Sequence, residues 1–185
     1  MRIISGTCRG RRLIQIQGKD IRPTSDRVRE ALFNILGPRV RGARVLDLFA
    51  GTGALGLEAL SRGADHAVFM DQSKESCEVI RKNIDLCRLG EKADLICRDA
   101  ASLPFPDRVT AHAFDLIFMD PPYNRGYLEQ ILKTDDIKAL LSSQGLIIVE
   151  HSLKESIPES LNGLDILRQK KYSRTRISIL TRTTD

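Results

Sequence analysis

Apolar residues along this chain alternate between two spacings. Short apolar runs bounded by turn residues recur at Arg44–Phe49, His66–Met70, Ala93–Cys97, Phe114–Met119 and Leu146–Glu150. Runs of this length read as inner strands of a parallel sheet, buried on both faces. Between them the spacing turns helical: Leu57–Arg62, then a stretch that Ser73 can cap and that runs to about Leu86, then segments within 127–142. Upstream, Val28, Ala31, Leu32 and Ile35 form one helical stripe. It is entered through Pro23-Thr24-Ser25-Asp26 and stopped by Gly37-Pro38, the expected start and stop chemistry. Residues 2–16 alternate weakly around Gly6 and Gly10 and predict a small β-hairpin. Residues 100–113 predict a loop, with Pro104 and Pro106 opposing a regular element. Gly145 opens the fifth strand, and Leu164–Tyr172 with Thr175–Thr181 predict a last hairpin turning at Ser173-Arg174. Strands alternating with helices and closed by a hairpin predict an α/β fold: a doubly wound, Rossmann-like sheet with an antiparallel C-terminal hairpin and a small N-terminal hairpin and helix extension.

Length and composition narrow the picture only a little. A chain of 185 residues, 42% hydrophobic and 29% charged, predicts one globular domain over 1–185, with a basic extension over 1–41 and a core over 42–185. No apolar run approaches the roughly 20 residues of a membrane span, and the amino terminus has no secretory apolar core, so a cytoplasmic protein is expected. The cysteines Cys8, Cys77, Cys87 and Cys97 form no CxxC pair and no cluster with His66, His112 and His151. They are expected to be reduced thiols, and no metal is expected.

Charge changes the picture more. Residues 1–41 carry a net +7 and residues 168–182 a net +6, whereas 42–167 carry −7. If the fold brings the two basic ends together, they make one positive face suited to a phosphate backbone. Arg9, Arg11 and Arg12 lie at or near the turn of the first hairpin, and Arg174 and Arg176 lie in the last. Guanidinium groups there can fork phosphate oxygens.

The candidate chemistry sits at strand ends, where open α/β sheets bind ligands. Asp120-Pro121-Pro122-Tyr123 follows the fourth strand. Two prolines stiffen the turn, so a carboxylate, the Pro121 carbonyl and an aromatic face can converge on a planar group bearing an NH2. Gly51-Thr52-Gly53-Ala54-Leu55-Gly56 follows the first strand and matches G-x-G-x-x-G, which alone also fits a dinucleotide. Asp47 pulls away from that reading, because a carboxylate there repels a pyrophosphate and suits an ammonium. Asp71 suits ribose hydroxyls in either case, and Asp99 can accept from an adenine amine. Together they outline S-adenosylmethionine. A nicotinamide-dependent oxidoreductase and a non-catalytic RNA-binding module remain as readings from other classes.

On these residues the chain resembles the class I S-adenosylmethionine-dependent methyltransferases. Within them it resembles the RsmD family of bacterial 16S rRNA guanine-N2 methyltransferases. The matching segments are Arg22–Phe33, Leu46–Gly63 and Asp120–Tyr123, with the arginine-bearing opening and basic last hairpin in support. The resemblance implies that Thr24, Arg27, Glu30 and Phe33 lie beside the cofactor. It implies that Asp47, Gly51 and Gly53 hold the methionine part of the cofactor, Asp71 its ribose, and Asp99 with Ala100 its adenine. It implies that Asp120, Pro121, Pro122 and Tyr123 hold a guanine, with 16S rRNA or the small ribosomal subunit as partner. The glycine turn and tail give no hint of an obligate dimer, so a monomer is the expected state. An adenine N6 or a protein glutamine amide would satisfy the same turn.

Overall fold

The computed structural model describes residues 1–16, 26–173 and 175–183. Helix α1 (Asp26–Leu36) precedes β1 (Arg44–Leu48), α2 (Ala54–Ser61), β2 (His66–Asp71), α3 (Lys74–Cys87) and β3 (Ala93–Cys97). Then come α4 (Asp107–Thr110), β4 (Phe114–Met119), α5 (Tyr127–Leu132), α6 (Asp135–Ala139), β5 (Leu141–Ser152), β6 (Leu164–Tyr172) and β7 (Thr175–Arg182). They form a seven-stranded sheet in the order β3-β2-β1-β4-β5-β7-β6. The first five strands are parallel, and β7 runs antiparallel to both β5 and β6. This is the doubly wound sheet with an antiparallel end that the alternating pattern predicts.

Side chains leave a strand on alternate faces, so each inner strand feeds two cores. Val45, Phe69, Phe118, Ile148 and Ile179 meet α1, α2, α3 and the amino-terminal hairpin on one face. Leu46, Met70, Ile117, Ile147 and Leu180 meet α4, α5 and α6 on the other. Ser73 caps α3 by accepting from the Ser76 N–H at 3.3 Å, as its position before the helical stripe predicts. Among the described residues, no helix is long and apolar enough to cross a membrane.

Three expectations need correction. The 100–113 stretch contains the short helix α4. Pro106 sits just before its first residue, where a missing N–H breaks no helical bond. Strand β5 starts at Leu141, and Gly145 lies inside it rather than opening it. The pairing with β4 shifts register between Phe114 and Leu116. A Cβ on Gly145 would come within 2.8 Å of the Phe114 carbonyl oxygen, so glycine marks a close backbone approach here. The third concerns the thiols: Cys77 and Cys97 form a disulfide, and only Cys8 and Cys87 are free among the described cysteines. Cys97 pairs in register with Asp71, and the first turn of α3 returns Cys77 to the same place.

The amino-terminal hairpin forms, with Arg2 bridged to Arg12, and docks on α2. The Ile4 and Ser5 N–H groups donate to the Glu58 carboxylate at 2.7 and 3.1 Å, and the Thr7 N–H donates to the Ser61 carbonyl at 2.8 Å. The two basic ends therefore do not come together, and Arg176, alternating with Ile177 and Ile179 of the hairpin-side core, lies on the other face of the sheet. The hairpin lies over α2 and α3, which cover β1, β2 and β3, whereas β6 and β7 form the opposite edge.

Candidate active site

Strand register sets the geometry. Leu48 pairs with Met70 and with Met119, and Met119 pairs with Val149. Asp71, Asp120 and Glu150 each follow a member of that row directly, so three of these four strands, β2, β4 and β5, present an acid one residue past a common line. Asp47 precedes the line by one residue and is buried. Asp99 follows Cys97, the register partner of Asp71, by two.

The turn after β1 is wound left-handed at Phe49 (φ 60°), Gly51 (φ 57°) and Gly53 (φ 77°). Phe49 is a costly residue to hold there, and glycine adopts such angles freely. The turn is stitched by the acids around it. The Gly51 N–H donates to Asp71 Oδ2 at 2.8 Å, and the Ser73 N–H donates to Asp71 Oδ1 at 2.8 Å. The Gly56 N–H donates to Asp47 Oδ2 at 2.9 Å. Gly56 also lets α2 lie against β2, because a Cβ there would come within 2.4 Å of the Phe69 ring. On the far side, the Ala101 N–H donates to Asp99 Oδ1 at 2.9 Å, and Ala100 is buried.

These bonds bear on which ligand fits. A pyrophosphate at a glycine turn is held by backbone N–H groups at the helix start. Here the Gly51 and Gly56 amides already donate to the chain's own carboxylates, and Ala50–Gly56 contains no Lys or Arg. The donor set fits a phosphate-free ligand bearing a positive charge, ribose hydroxyls and a purine amine. Burial pushes the Asp47 carboxyl up to about 8, with the Gly56 amide opposing the rise and the nearby Asp71 adding to it. An arriving ammonium would favour its charged form.

The second half of the site is the turn after β4. Pro121 is buried, Pro122 is exposed and Tyr123 is half-buried. The Tyr123 hydroxyl donates to Glu150 Oε1 at 3.3 Å. Burial, then the charges of Asp120 and Glu150, raise its pKa well above the usual tyrosine range. The next residue, Asn124, has φ 58° and donates its N–H to Glu155 Oε1 at 2.7 Å. Phe49 and Tyr127 pack with ring centroids 5.1 Å apart, which ties the glycine turn to the start of α5.

Arg27 and Glu30 are on the exposed side of α1. Phe33 is 1% exposed and packs in the core on Phe118, with the Arg62 guanidinium 4.9 Å above its ring. Thr24 and Arg174 lie outside the described residues. Arg9 and Arg12 are exposed; Arg11 is exposed too, but donates to the Leu86 carbonyl. Arg176 is half-buried, in register with His151 and Lys171. Glu150 and Phe49 were missed by sequence reasoning. Applying the strand-end rule to the fifth strand as well would have found Glu150, since that strand was predicted to end on it. A concavity of about 210 Å³ lined by Arg39, Arg41, Asp115 and Gln144 lies at the opposite, amino end of the strands, away from these acids.

Comparison with known proteins agrees with the geometry. The profile of a family described as conserved hypothetical protein 95 matches residues 1–181. YlbH of Bacillus subtilis, whose name marks it as a candidate rRNA methyltransferase, is 37% identical over 97% of this chain and 97% of its own length. Ribosomal RNA small subunit methyltransferase D of Escherichia coli is 37% identical over 92% of this chain and 84% of its own. A solved structure described as a candidate methyltransferase, YhhF of Escherichia coli, superposes with a TM-score of 0.84 at 34% identity, covering 100% of this chain and 99% of that one. The sheet order and its antiparallel end are those of the class I methyltransferase fold.

Proposed function

We propose, from the premise that this chain belongs to the conserved hypothetical protein 95 family of RsmD-like methyltransferases, that it methylates the exocyclic N2 amine of a guanine in small-subunit rRNA. The observation that carries the reading is the row of strand-end carboxylates. Asp47 and Asp71 are bonded to glycine-turn amides that a pyrophosphate would need, and Asp120 opens the Pro-Pro-Tyr turn on the next strand.

S-adenosylmethionine, when bound, supplies an electrophilic methyl group. Asp47, Gly51 and Gly53 would hold its methionine part, Asp71 its ribose, and Asp99 with Ala100 its adenine. The guanine amine is a weak nucleophile because its lone pair is delocalised into the ring. Asp120 and the Pro121 carbonyl would accept its two N–H bonds, build negative charge on nitrogen and aim the lone pair. Tyr123 would hold the base plane by stacking. Positioning and preorganised electrostatics then carry the catalysis, and the amine proton lost as the nitrogen gains the methyl group would pass to Asp120 or to water. The base must leave its stack, at a cost of about a few kcal/mol. Arg9, Arg11, Arg12 and Arg176 would offset that cost by binding phosphates on two separated patches, one at each end of the sheet. Such a substrate places the protein in the cytoplasm.

The test is transfer of labelled methyl groups to small ribosomal subunits lacking the modification, with naked rRNA and total protein in parallel, followed by nucleoside analysis. Label recovered as N2-methylguanosine is the expected result. Label in N6-methyladenosine or in protein would overturn the substrate while keeping the cofactor. Absence of any label, together with no cofactor binding, would overturn the enzyme.

A further inference from the structure

We propose that Glu150 is a positioning residue for the target base, acting through the Tyr123 hydroxyl. This rests on the reading above, in which Tyr123 stacks on the base. A stacking ring contributes most if its plane is fixed before the substrate arrives, because a ring that must be ordered on binding loses rotamer entropy. The turn after β4 alone does not fix that plane. Its prolines set the backbone up to Pro122, but Tyr123 retains two side-chain torsions, and Asn124 beyond it leaves the extended region.

The restraint comes from the neighbouring strand. Register places Glu150 beside Asp120, each one residue past the Met119–Val149 pair. Glu150 is 8% exposed, and a carboxylate so buried is costly unless it is hydrogen-bonded. It accepts the Tyr123 hydroxyl at 3.3 Å, which pins the ring at its far end. Glu155 pins the near end by accepting the Asn124 N–H at 2.7 Å.

Glu155 is itself held in place. His151 Nδ1 lies 3.1 Å from the carbonyl oxygens of Ser152 and Glu155, and its Nε2 lies 2.8 Å from Ser178 Oγ. This buried imidazole ties the turn after β5 to β7. The C-terminal hairpin thereby supports the catalytic turn through His151, Glu155 and Glu150.

The experiment compares Glu150→Gln, Glu150→Ala, Tyr123→Phe and the Glu150→Ala/Tyr123→Phe pair in the full chain. It reads kcat and KM on subunits lacking the modification, S-adenosylmethionine binding by calorimetry, and tyrosinate formation by ultraviolet titration. If Glu150 acts through the hydroxyl, Glu150→Ala and Tyr123→Phe each lower kcat/KM by about 10²-fold, the scale of a small misplacement. The pair then loses no more than either alone, Glu150→Gln keeps most activity because its amide oxygen still accepts, and cofactor binding holds throughout. In the titration, the tyrosine that resists ionisation in the wild type ionises more readily in Glu150→Ala. The proposal is overturned if that titration does not move, if Glu150→Gln falls as far as Glu150→Ala, or if the two losses multiply, which would mean that Glu150 meets the base directly. A wild-type chain that transfers no methyl group would sink the functional reading and the catalytic half of this inference. The titration would still decide whether Glu150 holds the Tyr123 ring.

Discussion

Two groups of carboxylates in this molecule are built oppositely. Glu58, on α2, is fully buried and saturated by its own chain. It accepts the Ile4 and Ser5 amides, takes Arg62 Nε at 2.6 Å and lies 3.7 Å from Arg29 Nε, whose side chain is also fully buried. Asp47, Asp71 and Asp99 each accept one or two amides of the turns beside them and sit along the carboxyl edge of the sheet. The first arrangement welds three segments, the amino-terminal hairpin, α1 and α2, into one body. The second shapes turns along the edge proposed above to hold the cofactor and the base. An acid's role here is legible from what its partners join: separate segments with two arginines for Glu58, backbone amides at the carboxyl ends of the strands for Asp47, Asp71 and Asp99.

The contrast breaks first at Glu58. Removing one member of a buried ion pair leaves the other charge uncompensated, so Glu58→Ala should cost about 3–5 kcal/mol of folding stability. Burial already lowers the Arg29 pKa against the pull of Glu58, which marks how much the guanidinium depends on that partner. Urea denaturation measures the cost, and a loss below about 1 kcal/mol, the scale of an exposed pair, would mean that the cluster is not structural. Asp120→Ala should do the reverse. Folding and cofactor binding should survive, while methyl transfer falls by at least about 10²–10³-fold, the scale of removing one preorganised partner of the reacting group. Near-normal turnover would take Asp120 out of the mechanism.

Asp47 stands between the two groups, buried like Glu58 but belonging to the site, and pH separates its roles. Its folded carboxyl is pushed up to about 8, whereas an unfolded one titrates near 4. Between those values the folded state holds a proton that the unfolded state has released. Stability of the cofactor-free protein should therefore fall as pH rises through that window, by up to about 1.4 kcal/mol per pH unit. Below the window the carboxyl is neutral in both states and the effect vanishes. Asp47→Asn should flatten the slope, as read from thermal melts across the window. A wild-type slope equal to that of the variant would remove Asp47 as its source.

How much of this was legible follows from the range of each interaction. Period and turn chemistry act locally, so β1–β4, α1 and the Ser73 cap could be read from residues a few positions apart. The strand-end acids were legible because a parallel sheet puts every carboxyl end on one edge. Glu58 and Arg29 were not, since what makes them structural is long-range: Glu58 reaches the Ile4 and Ser5 amides 54 and 53 residues away and Arg29 29 residues away, whereas their partners Arg62 and Asp26 at helical spacing read as an ordinary surface pair. The Cys77–Cys97 pair was missed for the same reason: it is made by β3 lying beside β2, not by spacing. Phe33 was assigned from resemblance alone; α1 buries Arg29, Leu32, Phe33 and Leu36, a face turned by one position from the Val28, Ala31, Leu32 and Ile35 stripe read from the sequence.

The smallest expected effect lies where charge is neither buried nor at the strand ends. Arg9 and Arg12 are exposed on a hairpin that the Glu58 cluster holds rigid. Replacing both with Ala should leave the melting temperature within about 1–2 °C, since exposed substitutions typically change stability by less than 0.5 kcal/mol. RNA affinity should nevertheless weaken. If each arginine neutralises one phosphate, the slope of log affinity against log salt should shrink by about 0.7–0.9 per residue removed. Arg11 makes a poorer test, because it also donates to the Leu86 carbonyl and its loss mixes docking with binding. An unchanged salt slope in the Arg9/Arg12 variant would mean that the hairpin is basic but not the RNA surface. The phosphate contacts would then have to lie at the opposite edge, along β6 and β7, where Arg168, Lys170 and Lys171 are exposed.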